Sequence, residues 1–597
     1  MLGRSVLLAL TALSACAATT PPGMAQTGPD QMGPGQAGAY GNFLVGQYAA
    51  SRYDFPRAAN AMQQALSADP AASPALSGET FLLELLAGHT GTASTIAATL
   101  PKDSLAQLLL AGSDARAGRW QDALHRYQGL PTPDPLTSVL KPLLVAWAQQ
   151  GSGNTRAALA ALQGQGISQA RTIFALHTAL IADQGKMVAV AAQNYGIVQG
   201  GMNVTNLRLS ELLASWDART GDVTSADQVL DAMSPDLAMA MTLPALKKQM
   251  MTPPVANAVQ GLAEVYVNLA AALEDEIAND PQSRNRPAAQ QTVMTMLQLG
   301  LQLRPDLTSA RLLLSEVVDK GDNASVAMVP LQAIAKTDPL YPLAALREAV
   351  LLARLGRTDQ AHSLLQQLGQ AYPASPEPLL AQADLLRQAA KYPDAAALYT
   401  KALPLMPPNS PAAWVVYYDR AQCYDQAKDW PRAQADLQQA LKISPGQPYV
   451  LNYLGYSWAV KKENMPKARA MIEQALQLVP NDGAIIDSLG YVLLQQGQVQ
   501  AAVRTLTQAV KLMPEDSTVN AHLGDAYAAA GEHLQAVFQW RRALQLDPAP
   551  DLTTELLAKL QIKAASLPAA QPDAAQPDAA QPGAAQPGAA QPAASSN

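Results

Sequence analysis

LNYLGYSW at Leu451–Trp458, DSLGYVLL at Asp487–Leu494 and AHLGDAYA at Ala521–Ala528 are three copies of one pattern. Their glycines, Gly455, Gly490 and Gly524, fall 35 and 34 residues apart. Behind each glycine comes a segment of helical periodicity with alanines at two fixed places: Ala468 and Ala475, Ala502 and Ala509, Ala536 and Ala543. Each copy closes at a proline, Pro480, Pro514 or Pro548, five residues after its second alanine. Proline has no N–H for a helix interior and its ring clashes with the preceding turn, so each should end a helix. Small residues are expected where helix axes come close, Gly490 against Ala502 within a unit and Ala509 against the first helix of the next. A bulky side chain there should overpack the joint by about 1–3 kcal/mol.

The same beat runs well beyond these copies. Pro305, Pro339, Pro373 and Pro407 stand 34 residues apart, with Ala327, Ala361 and Ala395 twelve residues before the last three. The next interval, to Pro445, is 38; its excess lies in Pro408–Pro411, and Ala421, Ala433 and Ala440 keep their places. At the N-terminal edge Gly46, Ala58, Ala65 and Pro70 repeat the offsets of the later copies. A period of 34 with Leu-Gly, aromatic, Ala, Ala and Pro in that order resembles the tetratricopeptide repeat, a helix–turn–helix unit. The resemblance implies an all-α fold, an α-α superhelix (a solenoid) of roughly 13–15 hairpins in which each unit touches only its neighbours.

Between Ser73 and Met251 the repeat signature is eroded, but paired amphipathic segments remain. Examples are Leu105–Gly118 with Arg119–Tyr127, Leu140–Gln150 with Ala157–Gln163, and Leu207–Thr220 with Ser225–Met233. Glycines and prolines punctuate them, as helix boundaries require. A separate all-α domain is the alternative to an eroded solenoid here. A seam is expected near Met251–Pro254, followed by an unusually long helix over Val255–Ile277. The organisation that follows is a degenerate solenoid over 40–252 and a regular one over 253–563. The latter ends on a capping helix, Asp551–Lys563, with Leu552, Leu556, Leu557, Leu560 and Ile562 facing largely inward.

The two ends are different material. Met1–Cys16 has one basic residue, Arg4, a short apolar run Val6–Leu13, and then Leu-Ser-Ala-Cys. The run is too short to span a bilayer, so 1–16 reads as a signal peptide. Its end resembles a bacterial lipobox, which implies lipidation at Cys16 and a lipoprotein of the outer membrane facing the periplasm. The alternative is ordinary cleavage, for instance after Ala25, leaving a soluble periplasmic protein. Residues 17–39 are rich in Gly, Pro, Thr and Gln and read as a flexible linker, with folded sequence beginning near Tyr40. At the other end, 564–597 repeats AAQP, and a proline every fifth residue forbids a stable helix.

Composition bounds the function. Apolar residues make up 49% of the chain, much of it alanine, while aromatics are only 5%, which suits close-packed helices. A net charge of −7 without a basic stripe argues against nucleic acid as a partner. There are two cysteines, Cys16 and Cys423, so an export route implies no disulfide framework. No catalytic, cofactor or metal constellation emerges: the six histidines are scattered, and neither HExxH nor GxSxG nor a phosphate-binding loop occurs. His522 and His533 read as surface residues, Cys423 as a small packing residue, and Glu274-Asp275-Glu276 as a solvated helix end. The chain reads as no enzyme.

What remains is a surface. In tetratricopeptide stacks the first helices line a groove, and with the glycines as position eight, the groove sites are positions two, five, nine and twelve. They give Tyr449, Asn452 and Tyr456, then Asp487 and Tyr491, then Thr518 and Asp525, while the preceding repeat offers Tyr418, Gln422 and Asp425. Tyrosines interleaved with amides and acids can hydrogen-bond an extended peptide and stack on its side chains. The alternative for any one tyrosine is packing inside its own hairpin. The strings YVLNYLGYSW, DSLGY, HLGDAY and QWRRAL (Gln539–Leu544) resemble a proteobacterial group of exported repeat proteins. That group includes lipoprotein adaptors of a periplasmic carboxyl-terminal processing protease, so the resemblance implies a protein-binding scaffold or adaptor, with a structural part in an export machine as the alternative.

Overall fold

The computed structural model describes residues 34–68, 74–131, 135–164, 170–201, 207–233, 236–279, 286–319 and 323–560. Among them there are thirty α-helices and no strand, so the chain is the all-α stack of hairpins that its period implies. The lipobox at Cys16, Pro70, Ile562, Lys563 and the AAQP tail lie outside the described residues. The first helix starts at Pro34, six residues ahead of Tyr40. Proline is tolerated in the first helical turn, where its missing N–H would have no intrahelical partner.

Backbone chemistry repeats with the sequence. The residue before each proline leaves the helical region: Tyr372, Val479 and Met513 all have φ between −126° and −133° and positive ψ. A proline ring crowds the residue in front of it out of the α region, so the second helix of each unit stops there. At the turn inside the hairpin the device is different. Gly497 and Gly531 take φ of 74° and 79°, and Lys462 holds the same place at 57°. The next amide then reaches back into the helix, Gln498 N–H to the Leu493 carbonyl at 2.9 Å and Glu532 N–H to the Tyr527 carbonyl at 2.9 Å. This left-handed stop caps the last carbonyls of the first helix.

The chain falls into two compact units, Met1–Ser410 with Cys423–Lys428, and Pro411–Gln422 with Asp429–Asn597. In the first, the paired segments read from the sequence form hairpins: Ser104–Arg116 with Trp120–Gly129, Pro135–Gly151 with Thr155–Leu162, Leu207–Arg219 with Val223–Asp231. The long helix Ala258–Asn279 and its partner Arg286–Leu303 do more than continue the series. They also pack on Pro74–Leu86, Ser104–Arg116, Pro135–Gly151 and Arg171–Gln184. Arg286–Leu303 is accordingly buried on nearly all sides from Ala289 onward. Its polar residues are matched: the side-chain amides of Gln298 and Gln302 donate to the Leu86 carbonyl (2.9 Å) and to Ser113 Oγ (2.9 Å).

The segment Met251–Pro254 lies inside this unit and is held from two sides. Arg208 Nη2 and Arg304 Nη1 both donate to the Pro254 carbonyl, at 3.2 and 2.7 Å. Both guanidiniums also face the fully buried Glu264, and Arg208 pairs with Glu211 at 2.7 Å. Charges this deep persist only when mutually paired. Glu274, expected at a solvated helix end, is buried, because the long helix has neighbours on several faces; only Asp275 of that acidic run is exposed.

Candidate functional site

The repeat copies occupy the second unit. Their first helices are Pro448–Val460, Gly483–Gln495 and Ser517–Ala529, and their second helices Met465–Leu478, Val499–Leu512 and His533–Gln545. Consecutive first helices touch one another as well as their own partners. The glycines make the close approach, but not against the residues expected. A Cβ on Gly490 would stand 2.5 Å from Leu506 Cγ, and one on Gly524 2.5 Å from Trp540 Cδ1. One on Gly455 would meet the Ala468 carbonyl at 2.8 Å and Ile472 Cγ1 at 2.9 Å. In each copy the opposing side chain lies four residues after the small alanine, so Gly490 faces Leu506 and not Ala502. The same rule holds in the first unit, where Gly46 opposes Met62, four residues past Ala58.

With the backbones so positioned, equivalent residues of successive first helices line up. Tyr456 and Tyr491 are half-buried and stack at 5.3 Å between ring centroids. The imidazole of His522 joins them, 4.8 Å from Tyr491 and 6.3 Å from Tyr456. His522 is not the surface residue expected: it is 8% exposed, and its Nδ1 lies 2.8 and 3.0 Å from the two oxygens of the buried Asp487. Burial alone would lower its pKa, but the charge and hydrogen bond of Asp487, with Asp525 behind, outweigh it and hold the imidazole above its ordinary value. His533, eleven residues on, is exposed.

Asp525 is also engaged. It accepts from Trp540 Nε1 at 2.9 Å and from Lys559 Nζ at 2.6 and 2.8 Å. Lys559 stands on the last described helix, Pro550–Lys559, which docks Leu556 against Ala521 and Ala543. It lies 34 residues after Asp525, so this cap is the first helix of one more repeat. Burial pushes the Tyr456 phenol well up, with the charge of Asp487 adding to it, and burial raises Tyr491 too. Both hydroxyls therefore keep their protons at neutral pH and can donate.

One group in this row is unmatched. The side-chain carbonyl oxygen of Asn452, one turn before Tyr456, is buried and has no hydrogen-bond partner. A buried acceptor left bare costs about 1–3 kcal/mol, so it is suited to a donor brought from outside. The remaining groove residues divide. Tyr449 is half-buried beside Asn452 on the same helix. Tyr418 is 8% exposed and packs edge-on against Tyr453 within the core. Gln422 is half-buried, and Asp425 falls in the first unit. Thr518 is exposed and its amide donates to the Asp516 cap.

Sequence reasoning missed His522, Trp540 and Lys559. A signal for two of them was present: His522 follows Asp487 by 35 residues and Lys559 follows Asp525 by 34, each one period on. Elsewhere, in the first unit, a cleft of about 430 Å³ is lined by Arg208, Glu211, Arg304, Asp338, Leu246 and Leu340 among others. Its charged groups are largely bonded to one another. Among the described residues no cluster of His, Cys, Asp and Glu could hold a metal ion, and no helix is long and apolar enough to cross a membrane. Cys423 is buried, consistent with a packing residue.

A family model described as tetratricopeptide repeat matches residues 346–413, 380–448, 418–483 and 488–551. No curated protein matches the chain significantly. Among solved structures, a tetratricopeptide repeat protein from Parabacteroides merdae is 16% identical, covering 42% of this chain and 98% of that one at a TM-score of 0.35. The APC/C hetero-tetramer Cut9-Hcn1 is 15% identical, with 87% and 96% covered and a TM-score of 0.34. YrrB, titled a TPR protein with an unusual peptide-binding site, is 22% identical, with 33% and 97% covered and a TM-score of 0.26.

Proposed function

We propose that this chain is a non-catalytic adaptor that binds an extended, mostly uncharged segment of a partner protein along its first helices from Pro448 to Lys559. The observation that carries the reading is the bare acceptor of Asn452 beside two phenols that keep their protons. An extended peptide supplies what this row lacks, with backbone N–H groups for Asn452 and carbonyls for the tyrosine hydroxyls. The carboxylates in the row already have cations of their own, which favours a neutral segment over a basic one. Affinity capture followed by mass spectrometry tests this with wild type, Tyr456→Phe/Tyr491→Phe and Asn452→Leu. The double Phe variant keeps the stacked rings but loses both donors, and each variant should weaken capture about tenfold, on the order of 1–2 kcal/mol. Unchanged capture by both variants removes the face from consideration.

The setting we propose is the bacterial envelope, with Cys16 as the acylated residue at the end of a short apolar leader. Support comes from the Leu-Ser-Ala-Cys string and from the resemblance of YVLNYLGYSW and DSLGY to exported repeat proteins. In that setting the partner is a periplasmic protease acting on cell-wall hydrolases, and the second reading is a part of an export machine such as polysaccharide secretion. Neighbouring genes separate the two, a protease on one reading and polymer synthesis on the other. Labelled palmitate that fails to appear in wild type, or that persists in Cys16→Ser, ends the anchor proposal.

A further inference from the structure

The helix Pro34–Ser51 that opens the first unit buries Ala39, Gly46 and Ala49 against its partner Phe55–Ala68. Its other face is open. Leu44, Val45 and Tyr48 are 48%, 43% and 68% exposed, and Tyr40 beside them 40%. A Cβ added to Gly38 or Gly41 on that face would meet nothing within 4 Å. The end unit of a solenoid has to carry a polar outer face if it is to stay in water unpartnered. This one carries large apolar side chains and not a single charge along its eighteen residues.

The exposed positions have an internal symmetry. Gly38, Gly41, Leu44, Val45, Tyr48 and Ser51 are spaced 3, 3, 1, 3 and 3, the same read in either direction. Turned about a point between Leu44 and Val45, the face maps onto itself: Tyr48 falls on Gly41, Leu44 on Val45, and Ser51 on Gly38. Large thus meets small, as a ridge-into-groove contact between helices requires. We propose that this face is a self-association surface, on which a second copy of the chain packs antiparallel through Pro34–Ser51. A two-fold interface must be complementary to itself, and this pattern is. Because the helix is uncharged, the copies meet there without like-charge repulsion, although each carries a net charge of −7. A charged partner would find nothing to pair with on this face. One helix face lies at or below the low end of specific interfaces, about 1,200 Å² in total, so the dimer should dissociate in the micromolar range.

Sedimentation equilibrium on the full chain over a micromolar concentration series tests the proposal. Wild type should show a reversible monomer–dimer equilibrium, and Leu44→Glu should weaken it at least about tenfold, because it sets a carboxylate against the apolar face of the other copy. Leu44 is half exposed, so an unchanged melting curve for the variant serves as the folding control. Register is read by cross-linking in a Cys16→Ser background, in which the other native cysteine, Cys423, is buried. In the antiparallel dimer Tyr48 sits about 5 Å along the helix from the two-fold axis, which puts the two Tyr48 positions about 10 Å apart. That is beyond the reach of a disulfide, whose Cα atoms must lie within about 7 Å. A mixture of Gly41→Cys and Tyr48→Cys chains should therefore cross-link, and neither chain should do so alone. A monomer throughout the series, a dimer indifferent to Leu44→Glu, or cross-linking of either variant with itself overturns the proposal.

Discussion

At the scale of single residues, a glycine in this fold is there for what lies opposite, and the three cases differ in how far that neighbour can yield. Gly490 is opposed by the end of a leucine side chain, whereas Gly455 is opposed by a backbone carbonyl as well as by Ile472. Alanine at either site should destabilise the second unit by about 1–3 kcal/mol in urea unfolding. The rescue should differ. Gly490→Ala combined with Leu506→Ala should cost less than the sum of the two single changes, while trimming Ile472 should not relieve Gly455→Ala. Additive double mutants at Gly490 would rule out the proposed contact. His522 has a sign that can be worked out. Its pKa is raised in the folded chain by Asp487 against the opposing effect of burial, so the stability it confers is full below the unfolded histidine value of about 6.5. That stability is lost as pH rises through the folded pKa. Thermal unfolding of the second unit should therefore fall in midpoint from slightly acid to slightly alkaline pH, and His522→Gln should flatten this slope. A wild type whose midpoint rises over that window contradicts the pairing.

At the scale of the helix, the first helices of the repeats start on an aspartate. Asp482 Oδ1 accepts from the amides of Ala484 and Ile485 at 2.9 and 3.0 Å, and Asp516 Oδ1 from Thr518 and Val519 at 2.8 and 3.0 Å. Asp482→Ala should cost about 0.5–2 kcal/mol, and Asp482→Ser about half of that or less, as read by denaturant midpoint. The helix stops were legible from sequence alone, since few residue types can stand before a proline or adopt a positive φ, and the period repeats them. The facing of Gly490 was not read correctly, for a reason of geometry. Side chains on a helix lean toward its N-terminus, so the surface over Ala502 is covered by the residue one turn later, Leu506. The site was legible in part for a related reason. Equivalent positions gave Tyr456, Tyr491 and Asp525, but a fixed set of positions could not give His522, which reaches Asp487 from the adjacent one. Lys559 was out of view because the helix carrying it had been read as a cap alone, when it is also the next repeat's first helix. The burial of Glu274 and the Arg208–Glu264–Arg304 cluster had no sequence signal at all, since they depend on long-range packing with no period behind it.

At the scale of the whole molecule, the distribution of charge matters more than its total. The net charge of −7 would by itself suggest an appetite for basic partners. The proposed binding row does not share it. Asp487 is matched by His522, and Asp525 by Lys559, which also pairs with Glu555 at 2.5 Å. With its acids neutralised from within, the row has the stacked tyrosines and the bare Asn452 acceptor left to offer, and these act at short range. Binding through such contacts is insensitive to screening, whereas attraction between exposed charges fades once the Debye length falls to a few ångströms. The dissociation constant of the captured partner should therefore change less than about threefold between about 0.05 and 0.5 M salt. Lys559→Met should reverse that behaviour. With Asp525 released, a basic segment gains a carboxylate to address, and its binding should strengthen at low salt while remaining unchanged at high salt. Wild-type binding that collapses tenfold or more with added salt would mean that the partner reads unpaired charge elsewhere on the chain, and that the tyrosine row is not where it binds.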